Sequence, residues 1–288
     1  MDTKELLKKI RRLEIKTKGL TKHIFSGEYH SAFKGRGMTF SEVRDYHFGD
    51  EVRTIDWNVT ARFNEPYVKV FDEERELSVM LIIDVSGSED FGSGEKTKKD
   101  LALELAAILS FSAISNNDKV GAIFVSDKIE RYISPEKGKK HALIILREFI
   151  ELRPESKGTN LEEGLKFFRN TQKKRSIAFV ISDFIDDNNF IEGLKVSRKK
   201  HDMVAIRLVD EAESTLPNVG LVQLFNSETG ETTWVNSNST RAREMHAQNF
   251  KNFEENLFTE FKKSGIDYTS VSTSEDFIKP LVKLFQNR

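Results

Sequence analysis

The run Leu77-Ser78-Val79-Met80-Leu81-Ile82-Ile83-Asp84-Val85-Ser86-Gly87-Ser88 constrains this chain more than any other stretch. A nearly continuous apolar segment rich in Leu and Ile reads as a parallel strand buried on both faces. Such strands present functional residues at their carboxyl ends, in the crevice where an open α/β sheet binds ligands. Asp84, Ser86 and Ser88 therefore fall on the loop leaving that strand, with Gly87 permitting a tight turn. One carboxylate and two hydroxyls form an oxygen-only donor set, which suits a hard cation such as Mg²⁺.

The rest of the sequence supplies a sheet for that strand. Helical spacing over Thr97 to Ile114 is followed by a buried strand, Val120 to Val125, and an edge-like alternation, Ile129 to Ile133. A helix over His141 to Leu152 follows, and then one capped through Gly158-Thr159-Asn160. The strand Ile177 to Ser182 runs directly into Asp183, and helix 188–200 and strand Met203 to Leu208 continue the alternation. A hairpin, Leu221–Phe225 and Thr232–Val235 joined through Glu228-Thr229-Gly230, interrupts it once. A long helix follows, Arg241 to Phe261, whose stripe Phe250, Phe253, Leu257 and Phe261 reads as core. A last strand, Ile266 to Val271, and a Ser274-capped helix to Leu284 complete a regular β-α order. The expected fold is a three-layer α/β/α sandwich with a doubly wound, mostly parallel sheet.

Residues 1–75 have a different character and are read as a small N-terminal module preceding the α/β domain, 76–288. Residues 3–17 form an expected amphipathic helix, with Leu6, Ile10 and Leu13 opposite Lys8, Lys9, Arg11, Arg12 and Lys16. That basic face is read as the solvated side of a docking helix, or as peripheral contact with an anionic membrane or partner surface. From Gly35 to Phe71, Arg44, Arg53 and Arg62 interleave with Asp45, Asp50 and Asp56 around Tyr46 and Trp57. Arg binds carboxylates in bidentate fashion and stacks on aromatic rings. The pattern leaves two readings, a structural ion-pair network or a partner-recognition surface using Arg44, Asp50, Arg53, Asp56, Trp57 and Arg62. His47 is read as structural.

Composition narrows the function classes. Lys+Arg of 45 against Asp+Glu of 46 gives no basic field for nucleic acid. The absence of cysteine excludes disulfides, thiolate metal sites and a thiol nucleophile, and fits a cytoplasmic protein. Met1-Asp2-Thr3-Lys4-Glu5 lacks a signal-peptide apolar core, and no apolar run approaches the roughly 18 residues of a membrane span. Oligomeric state is not legible.

Three strand exits thus offer oxygen donors: Asp84, Ser86 and Ser88; Thr159; and Asp183. A doubly wound sheet gathers such exits at its topological switch point. Together they resemble the metal-ion-dependent adhesion site of von Willebrand factor type A domains. The upstream block Gly49-Asp50-Glu51-Val52-Arg53-Thr54-Ile55-Asp56-Trp57, with Ala61-Arg62, is similar to the signature of the bacterial family called domain of unknown function 58. The resemblance implies that Ser86 and Ser88 bind Mg²⁺ or Mn²⁺ directly, Thr159 directly or through water, and Asp84 and Asp183 largely through water. It further implies an open metal position for a carboxylate from a client protein or a MoxR-type AAA+ ATPase. Glu89 and Asp90 stand where that family often has an apolar residue. Glu89 is therefore a candidate at the partner-facing position, and either carboxylate is able to fill that position itself.

The expected function is a non-enzymatic, metal-dependent protein-interaction module. A phosphohydrolase using Asp84 and Asp183 is the competing class, although Ser86 stands where a phospho-aspartyl enzyme would offer a second Asp. A metal-free scaffold, in which Asp84 and Ser86 only hydrogen-bond loop amides, is the third reading.

Overall fold

The computed structural model describes residues 39–72, 77–225 and 232–288. The expected 3–17 helix, Gly35-Arg36-Gly37 and the hairpin turn Glu228-Thr229-Gly230 lie outside them. Two compact units divide the described chain, one within Phe33–Leu77 and one from Ser78 to Arg288.

In the small unit, β1 (Thr39–Asp45) pairs antiparallel with β2 (Tyr67–Asp72). Between them the chain makes a short 3-10 turn, Val52–Thr54, and the helix α1, Trp57–Phe63. Asp56 starts α1 by accepting the amide protons of Asn58 and Val59 at 3.0 and 3.2 Å, satisfying donors that a helix start leaves unpaired. Asn64 ends it in the left-handed conformation, at φ 59°.

The large unit contains the expected sandwich. Its sheet comprises β3 (Ser78–Asp84), β4 (Lys119–Val125), β5 (Ile129–Glu136), β6 (Ile177–Ser182), β7 (Asp202–Val209) and β10 (Asp267–Ser272), in the order β10-β7-β6-β3-β4-β5. All neighbours are parallel except β4 and β5. The chain winds outward from β3 to one edge, then returns to β6 and winds to the other. The switch point therefore lies between β3 and β6, whose pairing runs from Val79↔Ile177 to Ile83↔Ile181.

Alternate residues of these strands face two helical layers. Met80, Ile82, Ala178, Val180, Met203 and Ala205 pack with α4 (Leu161–Thr171), α5 (Phe190–Arg198) and α7 (Thr240–Ser264). On the opposite face lie α2 (Lys98–Ser115), α3 (Lys139–Glu151) and α8 (Ile278–Gln286). Rings of Phe124 and Phe149, 5.2 Å apart, and of Phe179 and Phe285, 6.3 Å apart, join strands to helices there. Thr97 and Asp100 form a capping box at the start of α2. The hairpin β8 (Leu221–Phe225) and β9 (Thr232–Asn236) follows the short helix α6 (Glu211–Ser214), as an insertion between β7 and α7.

Two expectations are corrected. Only the carboxyl half of the α7 stripe is core: Leu257 and Phe261 are buried, whereas Phe250 and Phe253 are half-buried. Their rings lie 5.1 and 5.3 Å from the guanidinium of Arg207, a buried strand residue that also pairs with Glu254 at 2.7 Å. The aromatics thus shelter a buried cation, and Phe253 also packs against the margin of the core. Nor does Ser274 cap the last helix; Asp276 accepts the Ile278 amide proton at 3.1 Å, while Ser274 joins a turn with Ser272.

Gly121 gives a test of this packing. A Cβ there would meet backbone atoms of Ile133 and Pro135 at 2.7 and 2.8 Å. Gly121→Ala must push β5 away from β4 and is expected to cost about 1–3 kcal/mol, read as a lower urea midpoint with an unchanged slope.

Candidate metal centre

The site forms where three loops meet at the carboxyl ends of β3 and β6. Asp84 ends β3 and is fully enclosed. Its Oδ1 accepts the Ser86 amide proton at 2.9 Å, and its Oδ2 accepts the Ser182 hydroxyl at 2.7 Å. These bonds fix the carboxylate and fold the Ser86–Ser88 turn back over it. Ser86 and Ser88 place their hydroxyl oxygens 3.2 Å apart. The Gly87 amide donates to the Lys157 carbonyl at 2.9 Å, which draws in the loop bearing Thr159. Thr159 is buried, and its carbonyl accepts from the Asn188 side chain at 3.1 Å.

Asp183 arrives from β6 by a tight turn. Phe184 takes a left-handed φ of 60°, costing about 1–2 kcal/mol for a residue with a Cβ. Its ring anchors the turn in the core, 5.7 Å from Phe190 and 5.2 Å from Phe261.

Glu89 is the third carboxylate of the cluster. It stands in the 3-10 turn Gly87–Asp90 with 1% exposure, and ligand oxygens of Asp84, Glu89 and Asp183 all lie within 4.8 Å of one another. The Asp183 amide donates to Glu89 Oε1 at 3.2 Å, whereas Oε2 is buried with no hydrogen-bond partner among the described residues. Glu89 thus faces inward and does not form part of an exposed partner surface. Asp90 points outward, 3.4 Å from Lys99, and does not join the cluster.

The group that sequence reading did not name is Lys98, at the first turn of α2. Its ammonium is buried and donates to Asp183 at 2.6 Å and Glu213 at 2.7 Å. Glu213 is held in turn, its other oxygen accepting the Asp210 amide proton at 3.0 Å. Asp210, the carboxylate at the exit of β7, binds Ser93 at 2.5 Å and Thr273 at 2.6 Å, and so is a structural tie. Lys98 had a sequence signal, since it lies on the same helical stripe as Leu101, Ala102 and Leu105. A lysine on a buried stripe requires a carboxylate partner.

The electrostatics follow from burial. Asp84 is pushed up to about 7, first by desolvation and then by Asp183, against hydrogen bonds from Ser182 and Ser86. Glu89 is raised well above the usual range by desolvation, then by Asp183 and Asp84. Desolvation works against the charge on Lys98, but Asp183, Glu89 and Glu213 outweigh it and raise its pKa. One ammonium thus faces a crowded set of carboxylates, the setting in which a further cation is stabilised.

The expected Arg/Asp block is only partly a network. Arg44 pairs with Asp50 through two contacts of 2.8 Å, and this bond, helped by the His47 amide, holds Asp50 down at about 2. Asp56 caps α1 and pairs with Lys69 at 3.4 Å. Arg53 is solvent-exposed, 3.9 Å from Glu51, and Trp57 and Arg62 are also exposed. Arg44, Asp50 and Asp56 build the small unit, whereas Arg53, Trp57 and Arg62 remain on its surface.

Fold and site together define a doubly wound α/β domain with an acidic, oxygen-rich centre at its switch point. Residues 42–256 match the family described as protein of unknown function DUF58, and the chain belongs to that family. The match spans both the Gly49–Trp57 block and the Asp84 loop. The uncharacterized protein Rv1480 of Mycobacterium tuberculosis is 27% identical over 290 residues, covering 100% of this chain and 91% of its own length. An uncharacterized Mycobacterium avium protein is 24% identical over 129 residues, 45% of this chain and 76% of its own. Among solved structures, BatB from Bacteroides thetaiotaomicron has 17% identity and a TM-score of 0.47, over 73% of this chain and 98% of its own. The SpRpn10 VWA domain has 13% identity and a TM-score of 0.40, over 74% and 96%. Among the described residues, no helix is long and apolar enough to cross a membrane.

A pH test isolates the centre. Asp84 has a folded pKa of about 7 against 3.8 for the free side chain, so without metal the folded state binds its proton more tightly. Its penalty is absent below the lower value, grows as pH rises between the two, and is complete above the upper one. Asp84→Asn is therefore expected to raise the melting temperature of metal-free protein at about pH 8 and to leave it unchanged near pH 4. Parallel wild-type and variant curves across that range would contradict the assignment.

Proposed function

We propose that this protein is a non-enzymatic, Mg²⁺-dependent protein-interaction module that works with a MoxR-type AAA+ ATPase, a client protein, or both. The observation that carries this reading is the buried trio Asp84, Glu89 and Asp183, with a Glu89 oxygen that no described group satisfies. The donors fit a hard cation: three carboxylates, the adjoining Ser86 and Ser88 hydroxyls, and Thr159 on the neighbouring loop. Bound there, Mg²⁺ or Mn²⁺ supplies a positive centre that attracts a carboxylate. Asp84 and Asp183 fix its position, the serines supply neutral donors, and Lys98 limits the charge left uncompensated on Asp183. Glu89 acts as an internal carboxylate at the position a partner would use, so an incoming acidic side chain must compete with it.

Several features support interaction over catalysis. Lys98 is enclosed and held by two carboxylates, so it is poorly placed to shuttle protons. The described histidines of the large unit lie against other groups: His141 beside Glu136, His201 on Phe168 and His246 on the Glu213 carbonyl. The lack of cysteine supports a cytoplasmic setting.

The test is association with a MoxR-type ATPase encoded in the same genome, measured by surface plasmon resonance in Mg²⁺ and in EDTA. Binding is expected to weaken at least about tenfold in EDTA and in Asp84→Ala, and to strengthen in Glu89→Gln, where the internal competitor loses its charge. Binding indifferent to EDTA would contradict the metal dependence. Asp84-dependent turnover of p-nitrophenyl phosphate would favour a phosphohydrolase.

A further inference from the structure

The two edges of the sheet are finished differently. β5 carries Pro135, and its pairing with β4 has two register shifts. Proline and irregular pairing are devices that stop an edge from recruiting another strand. β10 pairs with β7 in unbroken register from Asp267↔Val204 to Ser272↔Val209, and contains neither proline nor lysine. Its outer side pairs with no strand among the described residues. Instead it faces an open groove of about 1200 Å³ between the carboxyl end of α7 and the helix α8.

The walls of that groove have a defined chemistry. On the α7 side, the Phe258 and Tyr268 rings stack at 4.6 Å and make an aromatic step, with Lys262 beyond it. Lys279 and Lys283, one helical turn apart, project from the α8 side. These three lysines and Arg198, also lining the groove, are all exposed. Arg288 pairs with Asp202 and with Asp267, at 2.8 Å in the latter case, which removes the one carboxylate on the strand itself from play. Glu275 and Asp276 are the remaining acids of the lining, and Asp276 is engaged at the start of α8.

We propose that the β10 edge is a docking site for an extended, acidic segment of a partner protein, which joins the sheet as an additional strand. Main-chain hydrogen bonds to β10 provide the affinity common to any extended peptide. Side chains alternate across the new strand, so acidic residues on one face meet Lys279 and Lys283 while apolar residues on the other pack on Phe258 and Tyr268. This surface is separate from the metal centre, which lies at the carboxyl ends of β3 and β6, and it does not depend on the function proposed above.

The probe is a fluorescein-labelled peptide of alternating glutamate and valine, titrated by anisotropy against the full chain in Mg²⁺ and in EDTA. Saturable binding unchanged by EDTA is expected. The same peptide with alternate amides N-methylated keeps its charge but loses its donors, and is expected to bind at least about tenfold more weakly. The double variant Lys279→Glu/Lys283→Glu is expected to lose a similar factor, while Lys166→Glu on α4 is neutral. Equal binding of the N-methylated peptide, or equal loss with Lys166→Glu, would overturn strand addition in favour of diffuse charge attraction. Absence of binding would overturn the proposal outright. Concentration-dependent self-association abolished by Ser270→Pro would assign the edge to a second copy of the chain instead.

Discussion

Carboxylates crowded into a water-poor crevice repel one another, and the architecture of the large unit depends on how that repulsion is met. Asp84, Glu89 and Asp183 converge because two central strands end side by side and a 3-10 turn folds Glu89 over them. Lys98 provides the only ammonium bonded to the trio among the described residues. It bridges Asp183 to Glu213, and Glu213 is bound to Asp210, which secures both the Ser93 loop and the Thr273 turn. A single chain of ion pairs and hydrogen bonds thus connects the central strands to β7 and β10. A buried ion pair adds little net stability, but removing one partner strands the other. The same logic makes the trio receptive to a divalent cation.

The small unit solves a milder problem. Its acids are near solvent, and the two half-buried ones need only local partners: Arg44 for Asp50, and helix amides with Lys69 for Asp56. Outside those pairs the surface is mixed, with the acids Glu42, Asp45, Glu51 and Glu65 exposed as well. Phe48, Val52, Trp57 and Phe63 are exposed alongside Arg53 and Arg62. Aromatic residues and arginine are the types enriched where proteins recognise one another.

Much of this was legible in the sequence because burial and pattern coincide in a doubly wound sheet. The run Val79–Ile83 can only be a strand covered on both faces, and a carboxylate directly after such a strand falls in the binding crevice. Asp84 and Asp183 were identifiable for that reason. For Lys98 the helical stripe signals only that a carboxylate must meet it, and Glu213 carries no signal; they come from a helix and from the segment after β7, and only tertiary folding brings them to Asp183. The α7 stripe shows the converse limit. Helical spacing identifies which side chains share a face, but not that Arg207 would be buried against the first half of it. Ser274 and Asp276 are both acceptable cap residues, and the turn at Ser272 decides between them.

The most direct measurement is anomalous diffraction from crystals soaked in Mn²⁺. A single manganese peak among the Asp84, Glu89 and Asp183 carboxylates, with Lys98 still bound to Glu213, is the expected result. A manganese-free crevice with the trio and Lys98 unchanged, in crystals that hold manganese elsewhere, would contradict the assignment of a metal centre.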